Sequence, residues 1–450
     1  MRRVIVGWLL LTLLLAPSAE SQTAADPALL AEINGIRAVD NHAHVMSVAG
    51  EGGKEDEEYD AIPCDGLEFV SPPPMRLRPD NPIYAGAWRE LYGYGQGDGT
   101  GGRDLRGLLE AKRRVMRERG DGYPAWVLDR LNIEVMLANR VAPGRGLTAP
   151  RFRWVSYGDP LMLPLGTASL RTNTDRRFFF SQEEALLRRE LAALKLGGLP
   201  PTLDLYLSRV VSPALERRKR EGALALKFVA AYMRALDFAD VTKAEASAVY
   251  ARYARGGEPP RGEYKKLQDF LFRHVAREAG RLGLAVHIHT GGGCGHFFNL
   301  GGANPMLLEP VINDPSLRKT TFVLVHGGYP FVKETEFLLE KPNVYADFSA
   351  QTFLLTPQAL GRVLRGWLEY EPEKVLFGTD ASPATPEVSW EESAWMTNKT
   401  AREALAIALT GMLRDGDITR ARASELARMV LRENAVGLYG LAVDTPPAQK

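Results

Sequence analysis

Four apolar stretches of this chain end in histidine or aspartate, and that repeated layout restricts the fold more than any other feature. They are Ile36-Arg-Ala-Val-Asp-Asn-His-Ala-His44, Leu284-Ala-Val-His-Ile-His-Thr-Gly291, Thr321-Phe-Val-Leu-Val-His-Gly-Gly328 and Val375-Leu-Phe-Gly-Thr-Asp380. Side chains on an extended strand alternate faces, so His42 and His44 share one face. His287 and His289 do the same, with Val286 and Ile288 opposite. Glycines after such a strand end it and let backbone approach a ligand.

Helical patterns separate these stretches, which favours parallel βα units over hairpins. In such folds the carboxyl ends of the strands form one working face, so the histidines and Asp380 are expected to converge. Four further strands fit the same spacing: Ile133 to Ala138, ending in Asn139-Arg140; one within Phe152 to Leu165; Ala223 to Ala231, with Lys227 inside an apolar run; and Val344 to Ser349. Eight strands predict an α/β fold, a (β/α)8 TIM-type barrel with long loop insertions and extra C-terminal helices. The barrel is assigned to residues 26–440, after a signal peptide over 1–21 and before a C-terminal tail over 441–450.

A barrel of this kind needs about 250 residues, so much of a 450-residue chain is left over. The surplus falls in the loops after the first and third strands. Residues 46–102 lack clear periodicity and read as a lid or a disordered stretch, and the acidic run Glu51 to Glu58 reads as solvated surface. Helices are expected from an Asp26 cap to Asn34 with Pro27 at the first position, over 104–119, 182–196, 202–220, 241–252, 264–282, 330–339 and 357–369, and as a pair over 399–439.

Lys+Arg 56 against Asp+Glu 55 gives a net charge of +1, so nothing global recruits nucleic acid or an anionic membrane. Met1-Arg-Arg3 is basic, Val4 to Leu15 is apolar and Ala19-Glu-Ser21 offers small residues for cleavage. That run is short against the ~20 residues of a membrane span, so a periplasmic or secreted protein is expected, with an uncleaved anchor as the alternative. The two cysteines, Cys64 and Cys294, sit in loops above the same face; a bridge and two unlinked thiols both fit.

With these residues in view, the chain resembles the amidohydrolase superfamily, in its amidohydrolase-related (type 2) branch. Asp40-Asn-His-Ala-His44, Lys227 with Ala231-Tyr-Met-Arg234, His289-Thr-Gly291 and His326-Gly-Gly-Tyr-Pro-Phe331 look like the amidohydrolase domain of nodulin-type glutamine synthetase fusion proteins. The resemblance runs from about Ile36 to Tyr439. It implies metal held by His42, His44 and Asp380, with His289 and His326 completing a second site or assisting catalysis. It also implies that Lys227 is carbamylated and bridges two ions; the plain reading is a lysine paired with Asp380 or Asp347. Imidazole and carboxylate donors suit zinc, as one or two divalent ions, with manganese or iron as alternatives. Asp380 and His326 are the expected catalytic residues.

His287 lies one step deeper than His289 and reads as a buried polar residue behind the ligands, or as ligand in its place. Arg234 is a carboxylate clamp for substrate or a structural ion pair. Arg140, Tyr329 and His296 are further substrate-binding candidates. The implied activity is metal-dependent hydrolysis of an amide, lactone or related carbonyl bond by activated water. The alternatives are a zinc-dependent nonoxidative decarboxylase of an aromatic or related acid, and a noncatalytic metal- or ligand-binding barrel. A small-molecule substrate is the expected partner, without nucleic acid or stable membrane insertion; a homo-oligomer fits equally.

Overall fold

A computed structural model describes residues 24–48, 56–68, 71–95 and 104–442. The expected signal peptide and residues 443–450 lie outside the described residues.

Eight strands follow one another round a single sheet: β1 (Ala38–Ala43), β2 (Ile133–Asn139), β3 (Phe152–Tyr157), β4 (Ala225–Phe228), β5 (Ala285–His289), β6 (Phe322–Val325), β7 (Val344–Asp347) and β8 (Val375–Leu376). Each neighbouring pair is parallel. The two ends of the sheet meet where Ala43 bridges Ala381 and Asn41 N donates to Phe377 O at 2.8 Å. The result is a nearly closed barrel flanked by helices.

Strand alternation decides what enters the barrel. Val286 and Ile288 of β5 pack outward in the cluster that holds Leu226 and Leu324. Ala285 packs with Val39, Leu137, Val155, Ala225, Val323 and Leu376, a layer of small and branched side chains of the kind that fills such barrels. His287 and His289 project on the side of Ala285.

The helix Pro27–Gly35 forms as its sequence predicts, with the Asp26 side chain accepting from Leu29 N. It lies on the helix Trp390–Asp415, where Arg402 Nη1 donates to Ile33 O at 2.5 Å. That long helix begins nine residues before the expected Lys399, because Ser389 and Glu392 form a reciprocal capping box. The described residues within 46–102 include a helix, Tyr84–Tyr92, which buries Tyr84, Ala87, Trp88 and Leu91 and stops at Gly93, whose φ is 64°. A helix Tyr123–Arg130 precedes β2, and the helix expected from Gln182 starts at Thr174, capped by Asn173. Three consecutive phenylalanines, Phe178 to Phe180, mask its period. At the other end, Leu441 is 7% exposed and packs in the barrel-floor cluster, so the fold extends past the expected boundary at 440.

Candidate metal centre

The strand ends bring together all six residues singled out as metal ligands. Asp380 is the hub: its Oδ1 lies 3.2 Å from His42 Nε2 and 3.5 Å from His44 Nε2, and its Oδ2 lies 3.8 Å from His326 Nδ1. Lys227 Nζ is 3.4 Å from His42 Nε2, and His289 Nδ1 is 3.1 Å from His326 Nε2. His42, His326 and Asp380 each offer a donor atom, all within 4.8 Å of one another. Two imidazoles and a carboxylate in that space fit a divalent cation of the zinc type.

The backbone is bent to achieve this. His326 has φ 67° and Asp380 φ 55°, a left-handed conformation that costs a non-glycine residue about 1–3 kcal/mol and persists only where the surroundings enforce it. Asp380 N is held by His42 O at 2.7 Å. One residue earlier, Thr379 gives its N–H and hydroxyl to the buried Asp40 carboxyl, at 3.0 and 2.5 Å. These bonds fasten the ends of β1 and β8 and fix two candidate ligands, His42 and Asp380, together.

Groups behind the ligands set their ring orientations. Asn139 Nδ2 lies 2.7 Å from His42 Nδ1, and Ser349 Oγ lies 2.9 Å from His326 Nδ1. Asp347 in turn accepts from Ser349 Oγ at 2.5 Å and from His326 N at 2.9 Å. Neither Asn139 nor Ser349 was expected from the sequence, yet period-2 alternation carries both: Ser349 shares a face with Asp347, and Asn139 faces the centre because its neighbour Arg140 faces away.

Burial shapes the charges. It pushes the Asp380 carboxyl up to about 7 against the pull of His44 and Lys227, and brings the Lys227 amine down to about 8. Burial, then the Lys227 charge, holds His42 and His289 well below the usual imidazole value. Burial and neighbouring His289 do the same for His326. Neutral imidazoles are the form that binds metal. For His44, burial is outweighed by Asp60 and Asp380, and its imidazole is raised.

Asp60 is the residue the sequence did not disclose. It descends from the loop after β1, its Oδ2 3.2 Å from His44 Nδ1 and its Oδ1 accepting from Tyr157 OH at 2.6 Å. Burial opposes its charge, but His44 and Tyr157 hold the carboxyl at about 2. No spacing rule reaches it, since it stands outside any strand. Cys64 and Cys294 form a disulfide.

The expected substrate-binding arginines are engaged elsewhere. Arg234 donates to Asp269 at 2.6 Å and Gln268 at 3.0 Å and stacks over Phe238, which is the structural ion pair rather than the clamp. Arg140, 2% exposed, forks onto Asp56 at 2.7 and 3.1 Å and onto Val45 O at 2.6 Å. This pairing also corrects the reading of the acidic run as wholly solvated, since the Asp56 side chain is only 8% exposed. Tyr329 contributes its carbonyl, which accepts from Gly292 N at 2.7 Å, and His296 lies exposed, 3.4 Å from Ser71 Oγ. His287 is fully buried and meets Tyr439 OH at 2.8 Å, a deep polar residue below the centre.

Comparisons with known proteins agree with this architecture. The sequence profile of the family described as Amidohydrolase matches residues 215–441, half of the chain, a span that holds Lys227, His289, His326 and Asp380. Protein fluG of Emericella nidulans is 28% identical over 239 residues, covering 50% of this chain and 27% of that protein. Among solved structures, a protein assigned as a metal-dependent hydrolase from Lactobacillus casei aligns with a TM-score of 0.58 at 15% identity, over 93% of this chain and 98% of the other. A uronate isomerase from Thermotoga maritima aligns at 0.56 and 14%, with the same coverage. At such identities the structures attest the fold alone.

Proposed function

The chain belongs to the amidohydrolase family, and we propose that it is a metal-dependent hydrolase of an amide, lactone or related carbonyl bond. A divalent cation, zinc before manganese or iron, would be held by His42, His326 and Asp380, and when bound supplies the charge that polarises a carbonyl and acidifies water. His44, Lys227 and His289 would complete that site or build a second. A Lys227 amine near 8 is neutral often enough to react with carbon dioxide, which supports a carbamate bridge.

The observation that carries the reading is the placement of Asp380. Its oxygens touch three histidines, and burial sets its proton affinity near neutrality. A carboxylate so placed takes a proton from attacking water and returns it to the leaving nitrogen or oxygen. His326, fixed between Ser349 and His289, would act through the cation it helps to hold, whose charge would stabilise the carbonyl oxygen as charge develops on it.

The test is a zinc-loaded assay in 18O-labelled water against N-acyl amino acids, dipeptides, lactones, aromatic acids and uronates. Label in a new carboxyl group supports hydrolysis; carbon dioxide release with no label in the organic product, or a product isomeric with its substrate, moves the assignment to a decarboxylase or an isomerase. We further propose that the protein is periplasmic or secreted, supported by the disulfide, which persists in oxidising compartments. N-terminal sequencing should then find a mature chain starting near Gln22.

A further inference from the structure

The ligands stand on strand ends, but two of them are also braced from above. His44 has Asp60 opposite its Nδ1 at 3.2 Å. His289 has the Gly292 carbonyl opposite its Nε2 at 3.1 Å. Each brace is an acceptor, the Gly292 carbonyl in hydrogen-bond geometry and the Asp60 carboxylate as a close ionic partner of a nitrogen that has no other among the described residues. An acceptor on the outer nitrogen keeps the ring proton there and turns the other nitrogen's lone pair inward. The inward atoms are His44 Nε2, facing Asp380 at 3.5 Å, and His289 Nδ1, facing His326 at 3.1 Å.

The two braces belong to different loops, and the disulfide joins those loops. Cys64 lies four residues beyond Asp60, and Cys294 two beyond Gly292. Upstream, the Asp60 segment is tied by Asp56 to Arg140 and by Glu58 O to Val141 N at 3.0 Å. Asp60 itself is fixed from β3 by Tyr157 OH and by its own turn, through Ile62 N. Without the bridge, nothing covalent sets the loop after β1 against the loop after β5.

We propose that Asp60 is a positioning residue for His44, and that the Cys64–Cys294 bridge holds this brace and the His289 brace in register. The grip on the ion then depends on a covalent tie above the barrel as well as on the barrel itself. This rests on the metal-centre reading above.

The experiment measures Zn2+ affinity by competition with a chromogenic chelator, alongside thermal melts of the metal-free proteins. Wild type and His42→Ala come first. Stoichiometric binding by wild type and its loss in His42→Ala establish the centre; no binding by wild type overturns the underlying reading, whatever Asp60 does. Given the centre, Asp60→Ala should weaken Zn2+ binding about 10- to 100-fold, the range for such supporting groups, and should also lower the metal-free melt, since Tyr157 OH and His44 lose a partner; the affinity is read on protein that is folded before the ion is added. Asp60→Glu should restore part of the loss. The paired Cys64→Ser, Cys294→Ser variant should weaken binding less, and adding Asp60→Ala to it should cost less than in wild type, because the brace is already loosened. Wild-type affinity in Asp60→Ala overturns the positioning role. Full additivity of the two changes overturns the link through the bridge. If the cysteine variant does not fold, wild type and Asp60→Ala folded with the bridge closed and then reduced with a phosphine replace it. A few-fold weaker Zn2+ affinity on reduction of wild type, smaller in Asp60→Ala, supports the link, and an equal effect in both, or none, overturns it.

Discussion

His287 and His289 stand two residues apart on one strand and point the same way, yet the barrel gives them opposite employment. At the rim, His289 faces His326 and, through it, a cluster of groups that share contacts about Asp380. On the floor, His287 is closed off by Tyr439, whose hydroxyl also donates to Asn41 Oδ1 at 2.5 Å. Asn41 Nδ2 in turn donates to Asp347 at 2.7 Å. Burial lowers the His287 imidazole to about 3, so it stays uncharged through any ordinary pH. Residue type and strand face are therefore not enough to mark a ligand; depth decides whether a polar side chain meets a partner from the C-terminal segment or an open centre.

The sharpest way to break that contrast is at the rim. Asp380→Asn should fold, bind Zn2+ more weakly yet still load through the histidines when the ion is in excess, and in that loaded form lose about a hundredfold or more in turnover, the scale of a missing acid/base group. Turnover near wild type in the metal-loaded variant would end the proposed role. Next in size, Lys227→Met removes the amine that would be carbamylated. Metal analysis should fall from two ions per chain towards one or none, and an unchanged content would overturn the carbamate bridge.

A smaller effect comes from pH. With the Asp380 carboxyl near 7, its proton competes with a cation below that value and not above it. Zn2+ affinity should therefore fall about tenfold per unit for each proton displaced as pH drops from 7 towards 5, with a shallower rise from 7 to 9 as the Lys227 amine, near 8, gives up its charge. Calorimetric titration across that range gives the slope, and Asp380→Asn should flatten it. The mildest test is on the floor. Tyr439→Phe deletes a buried hydroxyl and leaves Asn41 and His287 short of a partner, which should cost about 1–3 kcal/mol in a denaturant melt while turnover stays within a few-fold. A hundredfold loss of turnover there would dissolve the distinction between floor and rim.

The order of strands and the identities of the six converging residues were legible because each obeys a local rule. Apolar runs mark strands, alternation picks a face, and parallel βα units send every strand end to one side. Asp60 obeys no such rule, for its place is set by Tyr157 and, upstream, by the pairing of Asp56 with Arg140, contacts distant in sequence. Arg140 itself was misjudged by a single step along β2, since Asn139 holds the inward position. Arg234 shows the other limit: a guanidinium near a strand end is equally suited to an acidic helix, and only the packing of Asp269 decides.

The bonds from Asp40 to Thr379 join residues 339 positions apart. During synthesis, His42 and His44 emerge early and wait for nearly the whole barrel before Asp380 exists to meet them. A ribosome-bound intermediate therefore has pairs of histidines but not the hub that gathers them. Loop closure over that distance also comes late in folding. The carboxylate that joins the histidines is made only with β8, so a prematurely terminated product lacking that strand would carry the histidines without their common partner.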